Sequence, residues 1–316
     1  MKLIEKPPHG SLDWLLKRHR DPDGNVVFGA SEAPALMNQS PYMSRPQLFA
    51  AKLNEPQVGK ETAAFRRGNL LEPVLVEEAG VVLGIPLKTP PFMYHNGRWI
   101  ISLDGVDDSF VPNVVVEAKT TTRYRIRDAE DLPQEWLWQG WAQRLVTGAE
   151  VYFSVLDNEQ NISVIPLPEN AEAVQRLADE AEAFGQAIQT NMPPEDFDRD
   201  VIDADTVASI WRATPTSVEI PETEMRWLQE IVHAKELIAE GEALKKLAED
   251  HLANLLKNNE IGTFNGTKVL SWKEQAGRTS LDTKALKEAH PDIAAQFERQ
   301  GKPFRVMRTH KVAGAF

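Results

Sequence analysis

The chain has 316 residues, of which 42% are hydrophobic and 26% are charged; this composition is typical of a globular protein and excludes a fibrous or wholly disordered one. Its net charge of −12 excludes a uniformly basic nucleic-acid coat, so any contact with nucleic acid has to come from a local basic patch. The absence of cysteine excludes disulfides, thiolate nucleophiles, iron–sulfur clusters and cysteine zinc sites. Catalysis would therefore depend on oxygen and nitrogen groups.

The N-terminal residues show no pattern of a secretion signal. Lys2, Glu5 and Lys6 precede any apolar run of the length that a signal peptide needs. The longest apolar stretches, at residues 81–83 and 114–116, are far shorter than the roughly 20 residues that span a bilayer. The sequence predicts a cytoplasmic protein without a membrane partner.

Short strands and amphipathic helices are predicted for the first eighty residues. Residues 25–28 form a β-like run, and Ser31 is predicted to cap the helix that follows. Helical periodicity returns over residues 45–53 and residues 62–78, and the second of these helices carries Glu72. The predicted apolar face of that helix consists of Phe65, Leu71, Leu75 and Val76.

The pattern then changes to the alternation that is typical of strands. Residues 99–104 and 114–119 are rich in β-branched side chains and flank a polar turn, so they predict a β-hairpin. Residues 133–146 have helical periodicity, and the strands at residues 150–156 and 161–167 are predicted to pair. Helices and strands alternate up to about residue 190, which predicts an α/β fold.

Composition indicates a domain boundary near residue 215. A loop rich in proline and aspartate covers residues 191–205, and a Thr-Pro-Thr sequence follows at residues 214–216. The sequence therefore predicts a core at residues 1–215 and a C-terminal extension at residues 216–316, which we expect to pack on that core.

The extension begins with a long amphipathic helix at residues 222–257, where glutamate, alanine, lysine and leucine dominate. A hairpin with Asn-Gly in its turn is predicted at residues 262–273, followed by a helix at residues 283–298 and a strand at residues 303–309.

The predicted hairpin at residues 99–119 carries the chemically informative side chains. Asp104 ends one strand, and Glu117 and Lys119 lie two residues apart on the next, so their side chains share a face. Carboxylates beside an apolar run are costly to bury unless a hard cation lies between them. Lys119 can orient a water molecule or neutralise charge on a phosphate. The pattern predicts metal-assisted hydrolysis, and a surface hairpin with a Glu–Lys salt bridge is the alternative.

These residues resemble a known nuclease motif. The SLDG sequence at residues 102–105 and the VEAK sequence at residues 116–119 are similar to the core of the PD-(D/E)xK nuclease superfamily. Further blocks in the same order resemble the YqaJ-type phage recombinase family, which includes lambda exonuclease. These blocks are Trp14 with Arg18, GASE at residues 29–32, GNLLEP at residues 68–73, Gln139 with Gln143, and VTG at residues 146–148.

The resemblance covers roughly residues 11–200 and implies a restriction-endonuclease-like α/β fold with a central mixed β-sheet flanked by helices. It implies phosphodiester hydrolysis with two Mg²⁺ or Mn²⁺ ions. It further implies processive 5′-to-3′ resection of linear duplex DNA ends, which leaves 3′ single strands for annealing. A ring-shaped homotrimer, a single-strand annealing partner and a phage or prophage gene expressed in a bacterial cytoplasm are implied by the same likeness.

The resemblance also implies roles for individual residues. The implied metal ligands are Glu72, Asp104, Glu117 and the carbonyl of Ala118. Lys119 would position the attacking water, and Gln139 would contact the site, with Gln143 as a weaker candidate. A solvated helix glutamate is the alternative for Glu72, and an ordinary polar helix position is the alternative for Gln139.

Basic residues are the candidates for DNA contact. Arg18 and Ser31 match positions that hold a terminal 5′-phosphate in the exonuclease branch, and Arg20 is the alternative to Arg18. Arg123 and Arg125 form a basic cluster with Arg127 after the catalytic strand. A second basic strip contains Lys302, Arg305, Arg308, His310 and Lys311. Trp136, Trp138 and Trp141 have helical spacing and are expected in the core rather than as base-stacking platforms.

Other functions remain open from the sequence. An endonuclease or a Cas4-like nuclease of the same superfamily is the nearest enzymatic alternative, although the absence of cysteine removes the iron–sulfur cluster usual in the latter. A non-catalytic DNA-binding or assembly module is the alternative from another class. The complete carboxylate–lysine set favours an enzyme over that module.

Overall fold

The structure is a computed structural model and describes residues 1–59, 62–195, 197, 202–299, 301 and 304–309. The chain divides into two compact units, Met1–Arg212 and Ala213–Phe316. None of the helices within the described residues has both the length and the apolar composition that crossing a bilayer requires.

The helices of the first unit are short, except for α4 and α6. They are α1 (Leu12–Lys17), α2 (Ala33–Leu36), α3 (Arg45–Leu53), α4 (Ala63–Leu83), α5 (Gln134–Thr147), α6 (Ala171–Thr190) and α7 (Ala204–Ile210). The strands are β1 (Lys2–Glu5), β2 (Phe92–Asn96), β3 (Trp99–Ile101), β4 (Gly105–Val106), β5 (Val114–Thr120), β6 (Glu150–Leu156) and β7 (Ile162–Pro166).

A mixed sheet in the order β4-β5-β6-β7 lies at the centre of this unit. β5 and β6 run parallel, while β4 pairs antiparallel with β5 and β7 pairs antiparallel with β6. Helix α5 makes the crossover that the parallel pair requires. The predicted pairing of the strands at residues 150–156 and 161–167 is confirmed, as is the α/β class with a mixed sheet flanked by helices.

A second sheet in the order β1-β2-β3 is antiparallel and includes the N-terminal strand. The register of β1 runs from Lys2 opposite His95 to Glu5 opposite Phe92. The sequence analysis assigned no strand to these first residues. Their pairing with β2 fixes the N-terminal segment beside the rest of the unit.

The predicted hairpin between residues 99–104 and 114–119 is wrong. β3 ends at Ile101 and pairs with β2, and the two-residue β4 pairs with β5 instead, with Gly105 opposite Val116. Alternation of side chains identifies the two faces of a strand but carries no information about its partner, so the change of sheet at residues 102–104 was not visible.

Local signals account for the ends of the helices that carry the site. The Thr62 hydroxyl accepts a hydrogen bond from the Phe65 N–H at the start of α4, at 3.1 Å. Gly84 and Gly148 end α4 and α5 with φ values of 70° and 72°, a left-handed conformation that glycine adopts without strain.

The buried face of α4 differs in part from the predicted one. Leu75 and Val76 are buried, as predicted, but Phe65 is 46% exposed and Leu71 only half-buried. Trp138 and Trp141 of α5 confirm the expectation of a core position: both are buried, and their rings meet edge to face at 5.1 Å. Trp136 is half-buried and packs against the same core.

The second unit begins with the long helix α8 (Met225–Leu256), as predicted. The strands β8 (Ile261–Phe264) and β9 (Thr267–Ser271) confirm the predicted hairpin, and Asn265 and Gly266 form its turn with positive φ values.

Two predictions for the end of the chain are wrong. The helix expected over residues 283–298 is two helices, α9 (Thr283–Ala289) and α10 (Pro291–Phe297), because Pro291 lacks the N–H that would continue the first. Residues 304–309 contain no strand, and Pro303, where that strand was predicted to begin, lies outside the described residues.

Candidate active site

A cleft of about 610 Å³ lies between α4, the N-terminal segment and the end of β5. The acidic side chains that line it are Glu72, Asp104 and Glu117. The basic side chains that line it are Lys6, Arg18 and Lys119. The cleft thus brings together carboxylates from α4, from the segment before β4 and from β5, together with Lys119 of β5 and cations from two other segments.

Asp104 is held beside β5 by the backbone. It directly precedes β4, where Gly105 pairs with Val116, and its Oδ2 accepts a hydrogen bond from the Ala118 N–H at 2.9 Å. The predicted proximity of Asp104 to Glu117 therefore exists, although the pairing of β4 produces it rather than a long hairpin.

Helix α4 carries Glu72 into the cleft because it packs very closely on the sheet. A Cβ atom on Gly105 would lie 2.7 Å from Cγ1 of Val76, so only glycine permits this contact. The Ser154 hydroxyl of β6 donates a hydrogen bond to the Leu75 carbonyl at 2.7 Å. These contacts fix the helix turn on which Glu72 lies.

Glu117 is the centre of a hydrogen-bond network and is only 5% exposed. Its Oε1 accepts from Lys119 Nζ at 2.8 Å and from Gln139 Nε2, and its Oε2 accepts from Gln143 Nε2. Lys119 Nζ also donates to Gln139 Oε1 at 2.8 Å. Both glutamines named from the sequence therefore contact the carboxylate, including the weaker candidate Gln143.

Burial and neighbouring carboxylates raise the pKa of Asp104 and of Glu72. Burial raises the pKa of Asp104 well above its usual range, and the charges of Glu117 and Glu72 raise it further. Burial and Glu117 also raise the pKa of Glu72, while Lys6 and Lys119 act in the opposite direction. The site accumulates negative charge that its own cations compensate only in part.

This donor set fits a divalent cation. Glu72, Asp104, Glu117 and the Ala118 carbonyl offer oxygen ligands, which Mg²⁺ and Mn²⁺ prefer. Within the part of the chain that the structure describes, no three acidic or histidine side chains are already arranged around a common ion. Glu117 gives both oxygens to Lys119 and the two amides, so binding a metal requires it to release at least one of these donors.

Arg18 and Ser31 meet at the other end of the cleft. Arg18 Nη2 donates to Ser31 Oγ at 2.8 Å, and the guanidinium carbon lies 4.1 Å from the centre of the Trp14 ring. Arg20 instead donates to the carbonyls of His19 and Lys52, so of the two arginines only Arg18 lines the cleft.

The prediction that Ser31 caps a helix is wrong. It lies inside a 3-10 turn at Ala30–Glu32 that precedes the four-residue α2, and the cap position is Gly29. The Ser31 hydroxyl accepts from Arg18 instead.

Residues 13–150 match the family model of the YqaJ-like viral recombinase domain. The motifs in the sequence resemble this same family. This match covers less than half of the chain. No curated protein matches the chain.

Solved structures similar to the chain include the alkaline exonuclease LHK-Exo from Laribacter hongkongensis, at 16% identity with a TM-score of 0.43, over 60% of this chain and 97% of that one. Its complex with dAMP matches at 15% identity and a TM-score of 0.43, over 58% and 94% of the two chains. A phage-related exonuclease from Haemophilus somnus 129PT has 12% identity and a TM-score of 0.38, over 54% and 97%.

The predicted basic cluster also lies within residues 13–150, but outside the cleft. Arg123 and Arg125 are exposed and do not line it, and Arg125 Nε lies 3.0 Å from Glu159 Oε2. Arg127 lies 3.7 Å from the same carboxylate oxygen, so part of this cluster's charge is neutralised. In the C-terminal strip, Arg305 and Arg308 are exposed, while Lys302, His310 and Lys311 lie outside the described residues.

Sequence reasoning missed the contribution of the residues before position 13. Lys6 and His9 line the cleft, and the His9 ring lies 4.6 Å from that of Trp14 and 5.7 Å from that of Phe65. Burial lowers the pKa of Lys6, and the charges of Asp104 and Glu72 offset only part of this effect. The apolar pair Leu3-Ile4 is the nearest signal in the sequence, and it carries no information about pairing with β2.

Proposed function

We propose that the chain is a divalent-metal-dependent deoxyribonuclease that resects linear duplex DNA in the 5′-to-3′ direction, in phage-type recombination by single-strand annealing. The observation that supports this most directly is the convergence of Glu72, Asp104, Glu117 and Lys119 in one cleft within a YqaJ-like domain. A carboxylate cluster beside a lysine has the chemistry that phosphodiester hydrolysis requires.

Each residue has a defined task in this proposal. Glu72, Asp104, Glu117 and the Ala118 carbonyl hold two Mg²⁺ or Mn²⁺ ions, which activate water and stabilise the leaving oxygen when bound. Lys119, fixed by Glu117 and Gln139, holds the attacking water and offsets the charge that develops on the phosphate. Gln139 and Gln143 orient the Glu117 carboxylate.

The arginine end of the cleft accounts for the proposed direction of cleavage. The Arg18 guanidinium and the Ser31 hydroxyl suit a terminal 5′-phosphate, because a guanidinium fork binds phosphate oxygens at two points. An end held there presents the adjoining phosphodiester to the carboxylates in the same cleft. The exposed Arg123 and the cluster around Arg125 would contact the backbone of the duplex.

Assembly is proposed from the family likeness alone. A ring-shaped homotrimer would keep the enzyme on its DNA, a single-strand annealing protein would receive the 3′ strand, and both would act in the bacterial cytoplasm. Sedimentation at working concentration tests the ring: a trimer is expected, and a lone monomer would contradict it.

The activity is tested by digestion of linear duplex DNA, with and without a 5′-phosphate, beside closed circular DNA, in Mg²⁺ and in EDTA. The variants are Lys119→Ala and, as control, Lys88→Ala, an exposed lysine that pairs with Asp108 outside the cleft. We expect metal-dependent loss of 5′-phosphorylated linear DNA, abolished only by Lys119→Ala. Cleavage of circles would favour an endonuclease, and binding without cleavage would favour a non-catalytic module.

A further inference from the structure

A buried lysine lies behind the arginine end of the cleft. Lys52 of α3 is 2% exposed, and its ammonium group lies 2.8 Å from each of three oxygens: the Arg18 carbonyl, the Val27 carbonyl and Glu32 Oε2. An ammonium group has three N–H donors, so these contacts use its full capacity. Lys52 thus joins the end of α1, the run before Gly29 and the turn that contains Ser31.

Glu32 completes the connection to the turn. The Oε2 atom that faces Lys52 also accepts the Gly29 N–H at 2.7 Å. Burial of Glu32 opposes its ionisation, yet the charges of Lys52 and Arg18 lower the pKa of its carboxyl overall. The carboxylate is therefore charged, paired and fixed next to Ser31 in the chain.

Gly29 leaves the space that the Arg18 side chain occupies. A Cβ atom at position 29 would lie 1.7 Å from Arg18 Nη2, so the guanidinium rests directly on the glycine backbone. The Trp14 ring bounds it on another side, and Ser31 accepts from Nη2. Arg18 Nε is buried and has no hydrogen-bond partner among the described residues, so the position of the group depends on these neighbours.

We propose that Lys52 and Glu32 are positioning residues that hold Arg18 and Ser31 at the spacing that receives a terminal phosphate of DNA. This inference rests on the proposed function. Lys52 contacts the backbone carbonyl of Arg18 and the Glu32 carboxylate that holds Gly29. These two contacts fix the backbone from which Arg18 and Ser31 extend. A buried ion pair contributes little net stability on average. A positioning role therefore explains the Lys52–Glu32 pair better than a stabilising role does.

Removal of the lysine charge has a definite expected effect. In Lys52→Met the Glu32 carboxylate keeps its charge beside Arg18, and the guanidinium is drawn toward it and away from Ser31. A misplacement of about 1 Å in a binding group can cost on the order of a hundredfold in rate. We expect the ratio of digestion rates on 5′-phosphorylated and 5′-hydroxyl duplex ends to fall about tenfold.

The matched control is Arg45→Met. Arg45 lies on the same helix as Lys52 and also forms a largely buried ion pair, at 2.7 Å to Glu180, but it does not line the cleft. Arg45→Met therefore measures the effect of losing a buried ion pair on α3 while the contacts of Arg18 stay unchanged. Its digestion ratio should equal that of the wild type, with the melting temperature of each variant measured in parallel.

Two further variants keep the test valid if Lys52→Met does not fold. Gly29→Ala is compatible with the backbone, where φ is −84°, but its methyl group displaces the guanidinium. Glu32→Gln retains an acceptor for the Gly29 N–H and loses the charge that faces Lys52. We expect both to lower the ratio, Gly29→Ala by about as much as Lys52→Met.

Binding of a 5′-phosphorylated or 5′-hydroxyl duplex oligonucleotide in EDTA gives a second readout that does not depend on cleavage. A folded Lys52→Met, or Glu32→Gln in its place, that keeps the wild-type preference for phosphate in both assays would overturn the positioning role alone. An equal loss in Arg45→Met would do the same. Equal rates and equal binding of the wild type on the two ends would overturn this role together with the proposed phosphate site.

Discussion

The two ends of the cleft handle charge in opposite ways. At the carboxylate end, burial and mutual repulsion raise the pKa of Asp104 and of Glu72. At the arginine end, Lys52 and Arg18 lower the pKa of Glu32 against the effect of its burial. Like charges are held together in the first case, and opposite charges are paired in the second.

This difference indicates what each end needs in order to work. The carboxylate end is under electrostatic repulsion that a divalent cation would relieve, so its final geometry depends on a ligand. At the arginine end the Glu32 carboxylate is already paired with Lys52, and protein groups fix Arg18, so this end can be preorganised before DNA arrives. Substitutions at the first end should therefore change the response to metal, and substitutions at the second should change the response to the DNA end.

The largest effect is expected from removal of the central carboxylate. Glu117→Gln places an amide where Gln139, Gln143 and Lys119 all donate, so we expect DNA cleavage to fall about a thousandfold. Digestion of linear duplex DNA in Mg²⁺ measures it. Glu150→Gln, at the exposed start of β6, is the control. Cleavage within tenfold of wild type in Glu117→Gln would remove Glu117 from the site.

A smaller effect should come from the N-terminal strand. Lys6→Ala removes a cation that faces Asp104 and Glu72, so the cleft offers less compensation for a bound phosphate and cleavage should fall about tenfold. Initial rates at several DNA concentrations measure the loss. Lys2→Ala, at the exposed start of β1 and outside the cleft, should match the wild type. Equal rates for the two variants would show that Lys6 only lines the cleft.

Asp104→Asn should stabilise the protein in EDTA. The folded protein holds the Asp104 proton to a higher pH than the unfolded chain does, so stability falls as pH rises from the usual carboxyl range to the raised pKa. Asparagine removes this loss and can still accept the Ala118 N–H. A gain of about 1 kcal/mol at pH 8 would raise the melting temperature by roughly 2–4 °C.

The same experiment with added Mg²⁺ separates repulsion from metal binding. Mg²⁺ should raise the melting temperature of the wild type, because it binds the folded carboxylates, and should raise that of Asp104→Asn much less. If Asp104→Asn is less stable than the wild type in EDTA at pH 8, repulsion between Asp104 and its neighbouring carboxylates is contradicted.

The smallest effect concerns His19, next to the arginine end. Burial, together with the charges of Lys52 and Arg20, lowers the pKa of His19 to about 4. The unfolded chain therefore binds the proton first, and stability is lost as pH falls from the usual histidine range toward 4. His19→Gln should flatten the melting temperature between pH 6.5 and pH 4, while His233→Gln, on the exposed surface of α8, should not. Parallel curves for both would exclude His19 as the cause.

The sequence predicted best those site residues that lie on single elements. Glu117 and Lys119 share a face of β5 because the side-chain period of a strand is two, and this needs no tertiary information. Gln139 and Gln143 are one helical turn apart on α5, and both contact Glu117. Motif order, through the family resemblance, supplied Glu72 and Arg18.

What the sequence did not predict depends on tertiary pairing. Lys6 enters the cleft because β1 pairs with β2, whose position in the chain is almost ninety residues away. Phe65 has the period of a core residue but faces the cleft, since periodicity cannot distinguish burial in a core from a place on the wall of a cleft. Nothing in the sequence indicated that Lys52 is buried, because a lysine in an amphipathic helix is expected in solvent.

The crossover from β5 through α5 to β6 has a consequence for the order in which the cleft can assemble. This one continuous stretch carries Glu117, Lys119 and both glutamines, so the centre of the site can assemble as a local folding unit. β1, in contrast, precedes β2 by almost ninety residues, so Lys6 can enter the cleft only after β2 has been synthesised. One wall of the cleft is thus completed by a long-range strand pairing, whereas its centre forms from local contacts.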